Sequence, residues 1–169
     1  MEIVRDFEGL RAHPYPVIAL GNFDGVHMGH QTILRAAIDR ARREHGTAFA
    51  LTFDPTPAKV LAPDRAPRLI LTSADKLELL CKSGIDSVLV ANFTHELSLL
   101  TPREFVRHYL VERIGVRTVV VGHSVSFGHN RTGNATVMTD LGREFGFDVV
   151  VIGPVNVAGM EVSSTKVRE

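Results

Sequence analysis

Gly21-Asn22-Phe23-Asp24-Gly25-Val26-His27-Met28-Gly29-His30 joins an apolar run, Val17-Ile18-Ala19-Leu20, to a long periodic segment that begins near Gln31. The unbroken apolar run predicts a strand buried on both faces. The periodic segment puts Ile33, Leu34, Ala37, Ile38 and Ala41 on one stripe, with Arg35, Asp39, Arg42 and Arg43 largely opposite. That is an amphipathic surface helix, with Gly46 as the residue just past its end. The quoted stretch is therefore a strand-to-helix turn carrying three glycines and two histidines. Glycine bends tightly and lets a ligand approach the backbone. The helix start adds unpaired N–H groups and a positive dipole end, which together favour phosphate. His27 and His30, at i and i+3, can face one side.

Further apolar runs predict strands at Thr47–Phe53, Ser87–Ala91, Thr118–Val121 and Asp148–Ile152. Helices intervene. Ser73 is the expected cap of one that carries Leu77, Leu80 and Cys81 and stops at Gly84. Thr101-Pro102-Arg103-Glu104 combines a capping box with proline at the first helical position, and Gly115 closes that helix. Ala135 to Phe145 is a third, ending at Gly146. Met1 to Pro16 reads as irregular, and a long loop with Pro63 and Pro67 precedes Leu69-Ile70-Leu71. Val155 to Val162 reads as a small hairpin.

Five strands alternating with helices predict a single α/β domain, a doubly wound parallel sheet with helices on both faces. Ligands in such folds sit outside the carboxyl ends of the strands, at the topological switch point. The glycine- or proline-marked segments after strands one, two and four, and the closing Ser163-Ser164-Thr165, would all leave on that edge.

A chain of 169 residues with 44% hydrophobic and 22% charged residues suits one globular domain. The formal net charge of +0 gives no general attraction to nucleic acid or membrane. No apolar run nears the roughly 20 residues that span a bilayer, and the N-terminus lacks a signal-peptide core. The single cysteine, Cys81, excludes an internal disulfide and fits a reducing, cytoplasmic setting, as a buried structural thiol.

Two histidines without a neighbouring cysteine or further histidine fall short of a zinc set. At a positive helix end they suit a bound triphosphate, donating hydrogen bonds as charge develops in a phosphoryl transition state. The turn has neither the Walker nor the dinucleotide glycine spacing. Its His-x-Gly-His pattern resembles the nucleotidyltransferase superfamily of that signature. Ser163-Ser164-Thr165-Lys166-Val167-Arg168 resembles the second signature of the same superfamily, Ser-Ser-Thr-x-x-Arg. Together with Thr52-Phe53-Asp54-Pro55-Thr56-Pro57, the glycine turn is similar to the FAD synthetase module of bacterial bifunctional riboflavin kinase/FAD synthetase. Val120-Val121-Gly122 with Phe127-Gly128, and Arg131-Thr132-Gly133, fall where that family has two further elements.

The resemblance implies a flavodoxin-like, Rossmann-like sandwich and Mg²⁺-dependent adenylyl transfer from ATP to FMN, giving FAD and pyrophosphate without a covalent enzyme intermediate. By it, His27, His30 and Arg168 are catalytic. Gly21, Asn22, Phe23, Asp24, Gly25, Gly29, Ser163, Ser164 and Thr165 bind ATP. Asp54, Pro55, Pro57, Phe127 and Gly128 shape the FMN side. Mg²⁺ rides on the phosphates rather than in a protein cage, and the kinase module that usually follows is absent, as in a fragment or a stand-alone form. Two departures bear on the acceptor: Thr56 replaces a histidine frequent in the family, and Ser124-Val125 replaces Asp-Phe. Another phosphorylated acceptor or donor nucleotide, or a flavin or nucleotide binder without turnover, are the alternatives.

Overall fold

Six strands, one more than the sequence predicts, form the main sheet: β1 (Glu2–Arg5), β2 (Pro16–Leu20), β3 (Thr47–Phe53), β4 (Ser87–Ala91), β5 (Thr118–Gly122) and β6 (Asp148–Ile152). The computed structural model describes residues 2–23, 28–65, 72–154, 156–157 and 160–161, with the backbone alone at 28, 156–157 and 160–161. The strand order is β1-β4-β3-β2-β5-β6, and every pairing is parallel. The extra strand, β1, falls in the segment expected to be irregular. Its two apolar residues, Ile3 and Val4, are flanked by Glu2 and Arg5, so no long apolar run marks it. As an edge strand it leaves Ile3 44% exposed and buries only Val4. Pairing with β4, from Glu2 opposite Ser87 to Arg5 opposite Val90, is what makes it a strand.

Leaving β1 aside, the order is the 3-2-1-4-5 arrangement of Rossmann-like sheets, with the direction reversing between β2 and β5. The helices are α1 (Met28–Arg43), α2 (Pro57–Leu61), α3 (Ser73–Lys82), α4 (His95–Ser98), α5 (Pro102–Phe105) and α6 (Ala135–Phe145). α5 continues as π-type turns over Val106–Ile114. Successive side chains of a strand point to opposite faces. Val17 and Ala19 therefore pack with Ile33, Leu34, Ala37 and Ala41 of α1 and Leu80 of α3. Ile18 and Leu20 pack on the other face with Phe105, Val106 and Leu110, and with Met138 and Leu141 of α6. The predicted apolar stripe of α1 is thus its buried face.

Local chemistry sets the helix ends. Thr101 Oγ1 accepts the Glu104 N–H at 3.1 Å, and Asn134 Oδ1 accepts that of Val137 at 2.9 Å. Gly115 and Gly146 close their helices at φ 72° and 86°. Three expectations shift by a residue or more. Thr72, not Ser73, caps α3, its Oγ1 accepting the Asp75 N–H at 3.1 Å. After α1 the left-handed residue is His45, at φ 54°. Gly46 is needed for a different reason: a Cβ there would come within 2.8 Å of Tyr15 Cβ and closer still to the Tyr15 carbonyl. The long loop after β3 contains α2, capped by Thr56, and a 3₁₀ turn over Pro63–Arg65. Leu69–Leu71 lie outside the described residues.

β7 (Asn156–Val157) and β8 (Met160–Glu161) form the antiparallel hairpin expected near the end. Cys81 is a free thiol, half-buried rather than fully enclosed. Among the described residues no helix is long and apolar enough to cross a membrane.

Candidate functional site

Where β2 ends, the Gly21 N–H still bonds to the Leu51 carbonyl of β3, at 3.2 Å. The chain then leaves the sheet beside the switch point. Phe23 adopts left-handed backbone, φ 54°, with its ring fully buried. A left-handed conformation costs a non-glycine residue about 1–2 kcal/mol. Burying a phenylalanine ring contributes about 1.5–3 kcal/mol, enough to offset it. The ring folds back beneath Gly21, where a Cβ would sit 3.4 Å from it. Its other neighbour is the His30 imidazole, edge-on with centroids 5.3 Å apart. One buried ring thus ties the start of the turn to the first turns of α1.

The Asn22 carbonyl is held from below. It accepts Thr52 Oγ1 at 2.9 Å and Lys76 Nζ at 3.1 Å, and Lys76 also donates to Thr52 Oγ1 at 3.1 Å. Thr52 belongs to β3 and Lys76 to the first turns of α3, so two elements grip the turn. On the other side of the switch point, Ile33 of α1 presses on the end of β5, where a Cβ on Gly122 would lie 3.3 Å from Ile33 Cδ1.

Gly21, Asn22, Phe23, Gly29 and His30 therefore come together at the carboxyl ends of β2 and β5. Asp24, Gly25 and His27, and the closing Ser163, Ser164, Thr165 and Arg168, lie outside the described residues. Asp54 and Pro55 follow β3 on the same edge, and Pro57 opens α2. Thr56, the first departure from the family pattern, spends its hydroxyl on capping that helix, accepting the Lys59 N–H at 3.4 Å.

Phe127 and Gly128 sit in the loop after β5. Phe127 and Gly133 exchange two backbone hydrogen bonds, of 3.1 and 2.8 Å. Both glycines are required: a Cβ on Gly133 would lie 2.7 Å from the Phe127 ring, and one on Gly128 2.7 Å from Pro102. From Phe127 a chain of rings runs across the edge. Phe105 lies 6.2 Å away, Phe53 is 6.5 Å beyond it, and Phe93 is 5.6 Å from Phe53. Phe53, Phe93 and Phe127 are half-buried, so a partly exposed aromatic band links the Phe127 loop to the Asp54–Pro55 segment.

The second departure, Ser124-Val125, forms a tight turn in which the Val125 N–H bonds to the Gly122 carbonyl at 3.1 Å. Val125 packs against the main core and Ser124 is exposed. His129 is tethered through Nδ1 to the Ser98 carbonyl at 3.0 Å and through its N–H to that of Leu100 at 2.8 Å.

Lys76 and Phe93 carry no signal in the sequence that marks them. A lysine four residues into a helix reads as solvated, and one phenylalanine in a polar loop reads as incidental. Only the crossing of α3 over the turn, and of the β4 exit over Phe53, brings them in.

With this geometry in place, the comparisons are direct. The family model described as FAD synthetase matches residues 11–166. A bifunctional riboflavin kinase/FMN adenylyltransferase of Escherichia coli (strain K12) is 32% identical over 171 residues, covering 100% of this chain and 55% of the relative. The protein of the same name in Listeria monocytogenes is 39% identical over 155 residues, covering 90% of this chain and 48% of the relative. A crystal structure described as a macrolide-efflux protein from Streptococcus pneumoniae superposes with a TM-score of 0.86 at 25% identity, over 99% of this chain and 55% of that one. The chain thus spans about half the length of the curated relatives it matches.

Proposed function

Since the chain belongs to the FAD synthetase family, we propose that it transfers the adenylyl group of ATP to FMN. An oxygen of the FMN phosphate attacks the α-phosphorus in line, the bond to the pyrophosphate oxygen breaks, and FAD and pyrophosphate leave. No residue of the chain forms a bond to phosphorus, so catalysis rests on positioning and charge stabilisation. The observation that carries this reading is the exit from β2, where Phe23 takes left-handed backbone at the switch point a few residues before α1 begins.

In this proposal the backbone of Gly21 to Phe23, with Asp24, Gly25 and Gly29, receives ATP. His27 and His30 donate to its phosphates as charge develops. Ser163, Ser164 and Thr165 hydroxyls and the Arg168 guanidinium grip the departing pyrophosphate, a task suited to a bidentate donor. Mg²⁺ arriving with ATP would offset phosphate charge. Asp54, Pro55 and Pro57 frame the acceptor with Phe127 and Gly128. The aromatic band beside them suits a planar, largely apolar ring system such as a flavin. A cytoplasmic setting, where ATP and FMN are at hand, belongs to the same proposal, as does a kinase module in a longer parent protein.

Incubation with ATP, Mg²⁺ and FMN is expected to yield FAD and pyrophosphate in equal amounts. No FAD at high enzyme concentration would overturn the reading. Val125, half-buried against the core in place of an aromatic side chain, favours testing a second acceptor class too. Pyrophosphate released with other phosphorylated acceptors, but not with FMN, would move the assignment there.

A further inference from the structure

Among the described residues Lys76 is the only charged side chain in the buried class, at 8% exposure. Its position is costly. The first turns of a helix already carry positive potential, which disfavours a cation. Removing an ammonium from water costs several kcal/mol unless hydrogen bonds replace its hydration. The hydrogen bonds described here go to the Asn22 carbonyl and Thr52 Oγ1, each at 3.1 Å, and Thr52 Oγ1 closes the triangle on the same carbonyl at 2.9 Å.

The consequence lies in the peptide that follows. A carbonyl oxygen has two lone pairs, and both are engaged at Asn22. The Asn22–Phe23 peptide is trans, so its N–H points opposite to its C=O. Drawing the carbonyl down onto Lys76 and Thr52 therefore turns the Phe23 N–H to the other side, away from α3. Phe23 then enters left-handed backbone at φ 54°, the conformation that forms one half of an anion-binding backbone nest.

We propose that Lys76 is a positioning residue for the nucleotide: by holding the Asn22 carbonyl, it orients the Phe23 N–H toward the phosphates of ATP. This rests on the reading of that turn as the ATP site. Lys76 acts through the backbone and touches no substrate.

The test compares wild type, Lys76→Met and Thr52→Val. ATP and FMN are titrated separately in the FAD-forming assay, equilibrium binding of a non-hydrolysable ATP analogue is measured, and melting temperatures are recorded. Lys76→Met is expected to raise the KM for ATP and weaken analogue binding about tenfold, the scale of one charge-assisted hydrogen bond. The KM for FMN should stay within about twofold, because no FMN contact is touched. Thr52→Val removes one of the two donors and should weaken ATP about threefold. Unchanged ATP affinity in both variants, or parallel rises in both KM values, overturns the proposal. Should Lys76→Met fail to fold, Thr52→Val decides by the same criterion. A wild type that binds the analogue but makes no FAD would sink the acceptor reading and leave Lys76 to be judged on binding. One that does not bind the analogue overturns both.

Discussion

At the edge where the strands begin, Arg40 reaches Asp148 at 2.6 Å, and Arg42 holds Asp86 through hydrogen bonds of 2.8 and 2.9 Å. At the edge where they end, Lys76 donates to the neutral oxygens of Asn22 and Thr52. α1 connects the two, with its basic last turn at the first edge and His30 at the second. The first edge is closed on itself. Tyr15 OH meets Thr118 Oγ1 at 3.2 Å, Arg117 lies over the Tyr15 ring, and Asp86 also accepts the Ala48 N–H at 2.8 Å. These bonds join side chains of different elements at the points where strands start. At the second edge the hydrogen bonds hold a backbone turn in a conformation that local energetics disfavour. In the proposed reading, one edge serves stability and the other holds a shape for the nucleotide.

The sharpest way to break that division is at His30. Replacing it with alanine is expected to lower turnover by about 10²–10³, the usual effect of removing one transition-state donor. The melting temperature should change little, because the residue is only half-buried and stands in the first turn of α1. Wild-type turnover in this variant would remove the histidine from the chemistry. Arg168→Ala comes next, with an expected rise of about 10–100-fold in the KM for ATP, the range for hydrogen bonds to a charged group. An unchanged ATP dependence would take the guanidinium out of the site.

The start edge should behave in reverse. Gly46→Ala forces a methyl group against Tyr15 and should destabilise the fold by about 1–3 kcal/mol, the range for overpacking. Turnover well below the melting transition should be unaltered. A selective change in ATP or FMN KM would show that the edges are not separate. The smallest effect is expected at Asp86. The Arg42 hydrogen bonds hold its carboxyl below the ordinary value, against the opposing influence of partial burial, with the Ala48 N–H adding to the lowering. A carboxyl depressed in the fold contributes stability that is complete above its unfolded pKa, about 3.9. That contribution is lost as pH falls through the lower folded value. Asp86→Asn should therefore cost about 0.5–1 kcal/mol at neutral pH, given its partial exposure. The melting temperature of the variant should fall less steeply than that of wild type below about pH 4. Parallel acid limbs would refute the linkage.

Much of the architecture was legible because it depends on local patterns. The strands β2 to β5 are buried on both faces or nearly so, and such strands must be written as apolar runs; β6, a half-exposed edge strand, carries the same mark in Val149 to Ile152. Thr101, Asn134, Gly115 and Gly146 mark helix ends because caps are chemistry between neighbours in sequence. The failures share the opposite property. β1 exists only because β4 offers it a partner, and its short Glu2-Ile3-Val4-Arg5 has no signature of its own. Thr72 and Ser73 both suit a cap by composition, and it is Thr72 whose hydroxyl accepts the Asp75 N–H. Gly46 was read as a helix end, whereas its demand comes from Tyr15, distant in sequence and adjacent across the start edge.

The candidate site divides along the same line. The glycine–histidine turn, placed between a buried strand and an amphipathic helix, is enough by itself to raise the expectation of a phosphate-binding corner, because glycine freedom and a helix N-terminus are properties of consecutive residues. What holds that corner is not consecutive. Lys76 and Thr52 reach Asn22 across 54 and 30 positions of sequence, and the rings of Phe53, Phe93, Phe105 and Phe127 come from four separate segments. A hydrogen bond or a ring contact needs atoms within a few ångströms, and between distant segments only the strand order and helix crossings bring them there.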